Sequence, residues 1–245
     1  MSDLNVQGFL QALHATSATA KHRLGTKRIT DDGRTFRYAK AGAVALDPSK
    51  CGIGLQDTDN HVDIAMAKAA AVGAMQVTVT LGATLATVDQ YRDGLLVVTD
   101  GTGEGYSYQI DSNPACDSAG DMVVTLKDTI RSALATSGTT VTLYPSFYNG
   151  VTVSTAEENI VVGVPLVAVP INNYYWAQTG GLAVCLCGGT APVGAWLCLD
   201  ASVAGALHAV SETIGTTVDY PLVAYQAYGA QVDTEYKPVF LIIEG

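Results

Sequence analysis

Gln76-Val77-Thr78-Val79-Thr80-Leu81 alternates apolar and polar residues with a period of two. In a strand, successive side chains point to opposite faces, so Val77, Val79 and Leu81 share one face and the threonines the other. The same period returns in Leu95–Thr99, in Tyr106, Tyr108 and Ile110, in Met122–Leu126, and at Val141 and Leu143. Gly-rich and Asp-rich turns separate these runs, which is the pattern of an all-β chain. Upstream, Val62, Ile64 and Met66 alternate with Asp63, Ala65 and Ala67 and predict a strand, although Ala65–Ala74 is rich in helix formers. Downstream, the pattern resumes in Val151–Ser154, Ile160–Val169, Tyr174–Gln178, Ala183–Cys187, Trp196–Leu199, Leu207–Val210, Tyr220–Ala227 and Pro238–Ile243. Thr129–Leu134 reads as one turn of helix or a loop. The expected fold is mainly β: an antiparallel sandwich or barrel-like body with an extended N-terminal arm.

The chain has 245 residues, enough to bury a real core without disulfides or a structural metal. Hydrophobic residues make up 48% and charged residues only 15%, which excludes a disordered chain. So little charge also argues against a solitary cytosolic monomer and for surface hidden against other copies or a partner. The net charge of -10 excludes phosphate binding by the molecule as a whole, so no direct nucleic-acid partner is expected. The charge is unevenly spread. Residues 1–50 carry eight basic and four acidic residues, net +4, and the remainder five basic and nineteen acidic, net -14. This split predicts a basic arm on an acidic body. The basic residues are interleaved with Asp31 and Asp32, which favours a protein surface over nucleic acid as the arm's partner. Val6, Phe9, Leu10 and Leu13 repeat at helical spacing and predict a short helix over 2–14, too short to stand alone. The expected division is an arm over 1–50, a β-rich domain over 51–158 and a β-rich C-terminal domain over 159–245.

No residue from Asn159 to Leu199 is charged. Pro165, Pro170, Pro192 and paired glycines interrupt this stretch, so it reads as buried sheet in the core or between subunits and no membrane partner is expected. Asp3 and the lack of an apolar run near the N-terminus give no expectation of a secretory leader.

The chemistry-bearing residues form no motif. Cys51, Cys116, Cys185, Cys187 and Cys198 are odd in number and irregularly spaced, against a disulfide framework. Cys185 and Cys187 share a strand face, but no second ligand pair accompanies them, so they read as buried inert thiols. Asp57, Asp59 and Asp63 resemble a calcium loop, yet His61 falls at a ligand position and the loop's glycine is missing. Gly101-Thr102-Gly103-Glu104-Gly105 lacks the lysine and hydroxyl of a phosphate loop and reads as a hairpin turn. No catalytic, metal or cofactor-binding residue is assigned. None of His14, His22, His61 and His208 lies in a nucleophile motif, so no enzyme is expected and no spatial cluster of His, Asp and Ser or Cys is anticipated. Twelve of the eighteen aromatics are tyrosines, and Tyr174-Tyr175-Trp176 fits either an interface or ordinary sheet packing.

Leu24-Gly25-Thr26 through Asp31-Asp32-Gly33-Arg34-Thr35-Phe36-Arg37-Tyr38-Ala39-Lys40-Ala41-Gly42 resembles the N-terminal arm of tailed-bacteriophage virion proteins. Gly103-Glu104-Gly105-Tyr106-Ser107-Tyr108-Gln109-Ile110 is similar to these proteins as well. The stretch from Val162-Gly163-Val164 to Tyr174-Tyr175-Trp176-Ala177-Gln178-Thr179-Gly180-Gly181 resembles their C-terminal β-domain. The family comprises capsid decoration (cement) proteins and related phage structural proteins. The resemblance implies a non-enzymatic protein made in the host cytoplasm and seated on the capsid exterior of the virion. It would bind the major capsid protein and itself, as a homotrimer, and stabilise the DNA-filled head. On this reading Arg23, Lys27, Arg28, Arg34, Phe36, Arg37, Tyr38 and Lys40 are capsid-contact candidates, and Tyr174, Tyr175 and Trp176 subunit-interface candidates. Deletion of residues 1–40 is then expected to abolish capsid binding and spare the trimer. A glycan- or receptor-binding virion protein and a tail-associated structural protein remain alternatives.

Overall fold

The computed structural model describes residues 9–55, 58–156, 158–210, 221–230 and 232–244. The described residues contain fifteen strands and no helix. In chain order they are β1 (Lys27–Ile29), β2 (Thr35–Lys40), β3 (Gly52–Ile53), β4 (Ile64–Ala65), β5 (Gln76–Thr80), β6 (Leu95–Asp100), β7 (Ser107–Ser112) and β8 (Asp121–Leu126). Then follow β9 (Thr140–Tyr144), β10 (Val161–Pro165), β11 (Tyr174–Leu186), β12 (Trp196–Leu199), β13 (Leu207–Ala209), β14 (Ala224–Gln226) and β15 (Tyr236–Ile242). All strand pairs are antiparallel, so the mainly β, antiparallel expectation holds. The helix expected over 2–14 falls partly outside the described residues, and residues 9–14 form bends and a turn.

The chain forms two compact units, divided differently from the three parts read in the sequence. Gln56–Phe147 is one unit, inserted into a second made of Met1–Leu55 and Tyr148–Gly245. The basic stretch is therefore not a separate arm, because β2 pairs along its length with β11. Charge asymmetry reports which residues meet water, and says nothing of which distant strand a segment pairs with.

The inserted unit is a six-stranded sheet in the order β4-β9-β6-β7-β8-β5. Its edges approach through a bridge between Met66 and Val79, which nearly closes it into a barrel. The period-two pattern does the work expected of it. Val77, Val79, Leu96, Val98, Tyr108, Ile110, Met122, Val124, Val141 and Leu143 all point into one core. The glycine-rich run at 101–105 is the β6–β7 turn, with Gly101, Gly103 and Gly105 all at positive φ. His61 is buried at the barrel end, where its ring contacts the Tyr91 hydroxyl and its Nε2 lies 2.9 Å from the Thr84 carbonyl oxygen. Nε2 therefore carries the proton and donates, a structural role and not a metal ligand's. Asp57 of the supposed calcium loop lies outside the described residues.

The larger unit is a nine-stranded sheet. Its main path runs β1-β2-β11-β15-β14-β12-β13, with β10 on β11 and β3 on β10. The thirteen-residue β11 serves three partners, β2 over Tyr174–Gly180, β10 at Ala177–Gln178 and β15 over Gly180–Leu186. The exchange happens at Gly180-Gly181, where the register with β2 shifts and Gly181 adopts a φ of 82°. A Cβ at Gly181 would also press on Arg34 at 3.2 Å, so backbone and space both select glycine there. The Gln178 amide spans the bend, donating to the carbonyls of Gly180 (3.1 Å) and Leu182 (2.9 Å).

Burial raises the pKa of the Tyr38, Tyr91, Tyr148 and Tyr175 phenols above the ordinary 10.0, with the Glu244 carboxylate adding to the effect at Tyr148. A phenol raised in the folded state keeps its proton while the unfolded chain has already lost it. The stability it contributes is complete below pH 10.0 and drains away as the pH climbs towards the folded value. These four tyrosines should ionise together with loss of the β-sheet circular dichroism, followed by phenolate absorbance during an alkaline titration.

Candidate functional site

Three features of the larger unit bear on function. The first is the place of the basic N-terminal residues. Phe36, Tyr38 and Trp176 are buried together, packed against Phe9, Leu13, Leu166 and Tyr174. The ring centroids of Tyr38 and Phe9 lie 5.0 Å and 5.3 Å from that of Trp176. Gln11 stitches the cluster. Its backbone carbonyl accepts from Trp176 Nε1 (3.1 Å), and its side-chain oxygen accepts from the Tyr38 hydroxyl (2.6 Å). Its amide nitrogen donates to the carbonyls of Ala15 (2.8 Å) and Tyr174 (3.0 Å). His22 packs on Tyr38 and Trp176, and burial, then the Arg28 charge, lowers its pKa.

This geometry reassigns most of the proposed contacts. Phe36, Tyr38, Tyr175 and Trp176 are core residues of their own chain and cannot meet a capsid or a second subunit without unfolding. Arg37 grips Glu244, its Nε 2.9 Å and 2.8 Å from the two carboxylate oxygens, and donates from Nη1 to the Gly25 carbonyl at 2.7 Å. Arg34 pairs with Asp32 at 2.7 Å. Arg28 sits 4.6 Å over the Phe9 ring and donates to the Gln11 carbonyl. Lys40 lies 5.6 Å over the half-buried Tyr174. Of the eight capsid-contact candidates, Arg23 and Lys27 are the exposed ones. A groove of about 480 Å³ beside the β1–β2 hairpin is lined by Leu13, His14, Arg28, Ile29, Asp31 and Arg34 among others.

The second feature overturns an expectation. Cross-strand pairing of β12 with β13 sets Cys198 opposite His208, with Sγ 3.1 Å from Nε2. On the other side of the ring, Nδ1 lies 3.4 Å from Asp200 Oδ2. Asp200 Oδ1 accepts from the backbone N–H groups of Ser202 (2.7 Å) and Val203 (2.6 Å), which holds the carboxylate in place. Gly188 backs it, since a Cβ there would stand 2.3 Å from the Asp200 carboxyl carbon. Thiol, imidazole and carboxylate thus occur in the order that activates a nucleophile. The sequence shows the three residues within eleven positions, but not the register that joins them. A nucleophile must also come within about 3–3.5 Å of the atom it attacks. Cys198 is fully buried, so an acyl group has no approach to sulfur in this conformation. The thiols of Cys51, Cys185 and Cys187 are buried as well, and burial raises the pKa of Cys187. Cys185 is raised as well, first by its hydrogen bond with the Cys51 thiol and then by burial. Among the described residues no group of His, Cys, Asp and Glu could hold a metal ion.

The third feature is an exposed apolar sheet face. Leu182 and Val184 of β11, Phe240 of β15 and Trp196 of β12 all reach solvent. Register places Leu182 opposite Phe240, Phe240 opposite Tyr225, and Tyr225 opposite Trp196. The Tyr225 ring stacks on Phe240 at 5.4 Å and meets Trp196 edge-on at 5.4 Å. Tyrosine and tryptophan do therefore mark a surface, at Trp196 and Tyr225 and not at the Tyr174–Trp176 run. No protein-family model, curated protein or solved structure matches this chain.

Replacing Trp176 with alanine (Trp176→Ala) removes a buried ring and one of the two donors to the Gln11 carbonyl, the other being Arg28. It should cost about 3–5 kcal/mol in equilibrium denaturation. With native protein, a thiol reagent should modify Cys116, the half-buried cysteine, slowly, while all five cysteines react after denaturation. Fast labelling of native Cys198 would instead mark it as an accessible nucleophile.

Proposed function

We propose that this chain is a non-enzymatic structural protein of a tailed-bacteriophage virion, a decoration protein that binds the outside of the capsid shell and associates with its own copies. The observation that carries the reading is the resemblance of residues 24–42, 103–110 and 162–181 to such proteins. An apolar exposed sheet face and an all-β chain are in keeping with it. A protein of this kind works by mass action: many copies, each with an ordinary interface, favour the assembled shell over the opened one. The exposed cations Lys21, Arg23 and Lys27 and the groove beside the β1–β2 hairpin are parts of the N-terminal stretch able to meet an acidic capsid surface. A second reading, a virion hydrolase, is favoured by Cys198, His208 and Asp200 alone, and the burial of the thiol weighs against it.

Deletion of residues 1–40 is no test of this reading, because it removes β1, β2 and part of the core. The charge reversals Arg23→Glu and Lys27→Glu leave the core intact. Combined, they should weaken binding to purified undecorated capsids by about tenfold or more at low salt, with little effect at high salt. Undiminished occupancy in a capsid sedimentation assay would remove Arg23 and Lys27 from the docking surface. No binding of the unaltered protein to any phage capsid would sink the decoration reading.

A further inference from the structure

The exposed face of β11, β15, β14 and β12 is neither core nor ordinary surface. Its four strands contain a single charged residue, Lys237, whose side chain pairs with Glu235 at 2.7 Å. By alternation Lys237 points to the side opposite Tyr236, Pro238 and Phe240. What remains outward is Leu182, Val184, Tyr236, Phe240, Tyr225 and Trp196.

We infer that this face is occupied by other copies of this chain, the same face of each copy meeting around a common symmetry axis. Area is the first reason. Leu182, Val184, Trp196, Tyr236 and Phe240 are each between 41% and 50% exposed. With about 150–250 Å² for a whole large side chain, they leave roughly 400–500 Å² of apolar surface in water. That is the size of the largest apolar patch on a typical single chain, a patch that often serves as an interaction site. Interfaces are only about 57% apolar over their whole extent, so an apolar centre of this size belongs to a contact of roughly 800 Å² per partner. A stable, specific complex needs about that much.

Charge is the second reason, and it selects the partner. Each copy carries a net charge of -10, so two copies repel at long range, and most strongly where their acidic surfaces face each other. This face lets them meet without setting carboxylates against carboxylates. A basic partner, by contrast, finds nothing here to pair with. The third reason is shape. The edge-on and stacked rings of Trp196, Tyr225 and Phe240 form a ridge across three strands, a rigid anchor of the kind that dominates interface energetics.

The inference deepens the self-association part of the proposed function and is tested without capsids. A chain that oligomerises through this face yet ignores capsids defeats the decoration reading and leaves this one standing. Sedimentation of the full chain up to about 100 µM should show a discrete oligomer, strengthened as salt rises from about 0.05 to 0.5 M because screening weakens the repulsion between acidic copies. Trp176 is buried and Trp196 half exposed, so association should shift tryptophan emission to the blue and protect Trp196 from iodide quenching. The double substitution Leu182→Glu with Phe240→Glu alters two side chains already in water. It should weaken association by about 100-fold or more with the circular dichroism unchanged. A monomeric native chain would overturn the inference. So would an oligomer that leaves Trp196 quenchable, one that persists in the folded double variant, or a monomer that instead binds a glycan saturably through the aromatic ridge.

Discussion

The larger unit hangs on β11. This strand pairs with β2 along its first half, with β15 along its second, and with β10 at Ala177–Gln178, residues that β2 also pairs. Its first half also carries Trp176, whose indole and the Tyr38 hydroxyl both bind Gln11. The segment from Phe9 to Lys40, far away in sequence, is thereby drawn into the same core. Each buried polar group in this cluster has its partner, which is what lets Gln11, Tyr38 and Trp176 sit together away from water. The bend at Gly180-Gly181 then turns the strand's second half toward β15 and out to the exposed face.

The low charge of the chain acquires a location from this arrangement. Within the uncharged stretch, Val161, Val162, Val164, Tyr175, Trp176, Ala177, Cys185 and Leu197 line cores, while Leu182, Val184, Val193 and Trp196 face solvent. The stretch thus builds both the interior of a sheet and an outer face, as a strand with apolar residues on both sides must. The positive charge of the first fifty residues disperses differently from the way an arm would hold it. Arg34 and Arg37 are held by acids of the same chain, and Arg28 by an aromatic ring and a carbonyl, so their role is cohesion of the unit.

Much of the β architecture was legible in the residues. The alternation of Val77, Val79 and Leu81 predicts both the strand and its buried face, because period two is a local property of an extended backbone. The turn at Gly101–Gly105 was legible for the same reason, through glycines that take positive φ. The arm, the domain boundaries and the interface candidates were not. Tyr174, Tyr175 and Trp176 look like a surface patch in a linear reading, but two of them become core once β2 lies beside them. Leu182 and Val184 look no different from Ala183 and Cys185 until a core forms on one side.

The pairing of Cys198 with His208 shows the same limit in its sharpest form. Two strands joined by a short loop can be aligned in several registers, and a shift of one residue would turn the thiol and imidazole to opposite faces. The sequence by itself determined that the chain is β, where most strands and turns fall, and that its charge is scarce and uneven. These follow from local backbone geometry and from composition. Only the tertiary structure decided that the N-terminal stretch belongs to the C-terminal sheet, which apolar face is left in water, and that a thiol, an imidazole and a carboxylate stand in line. Those depend on register and on packing between residues distant in the chain, which no local pattern encodes.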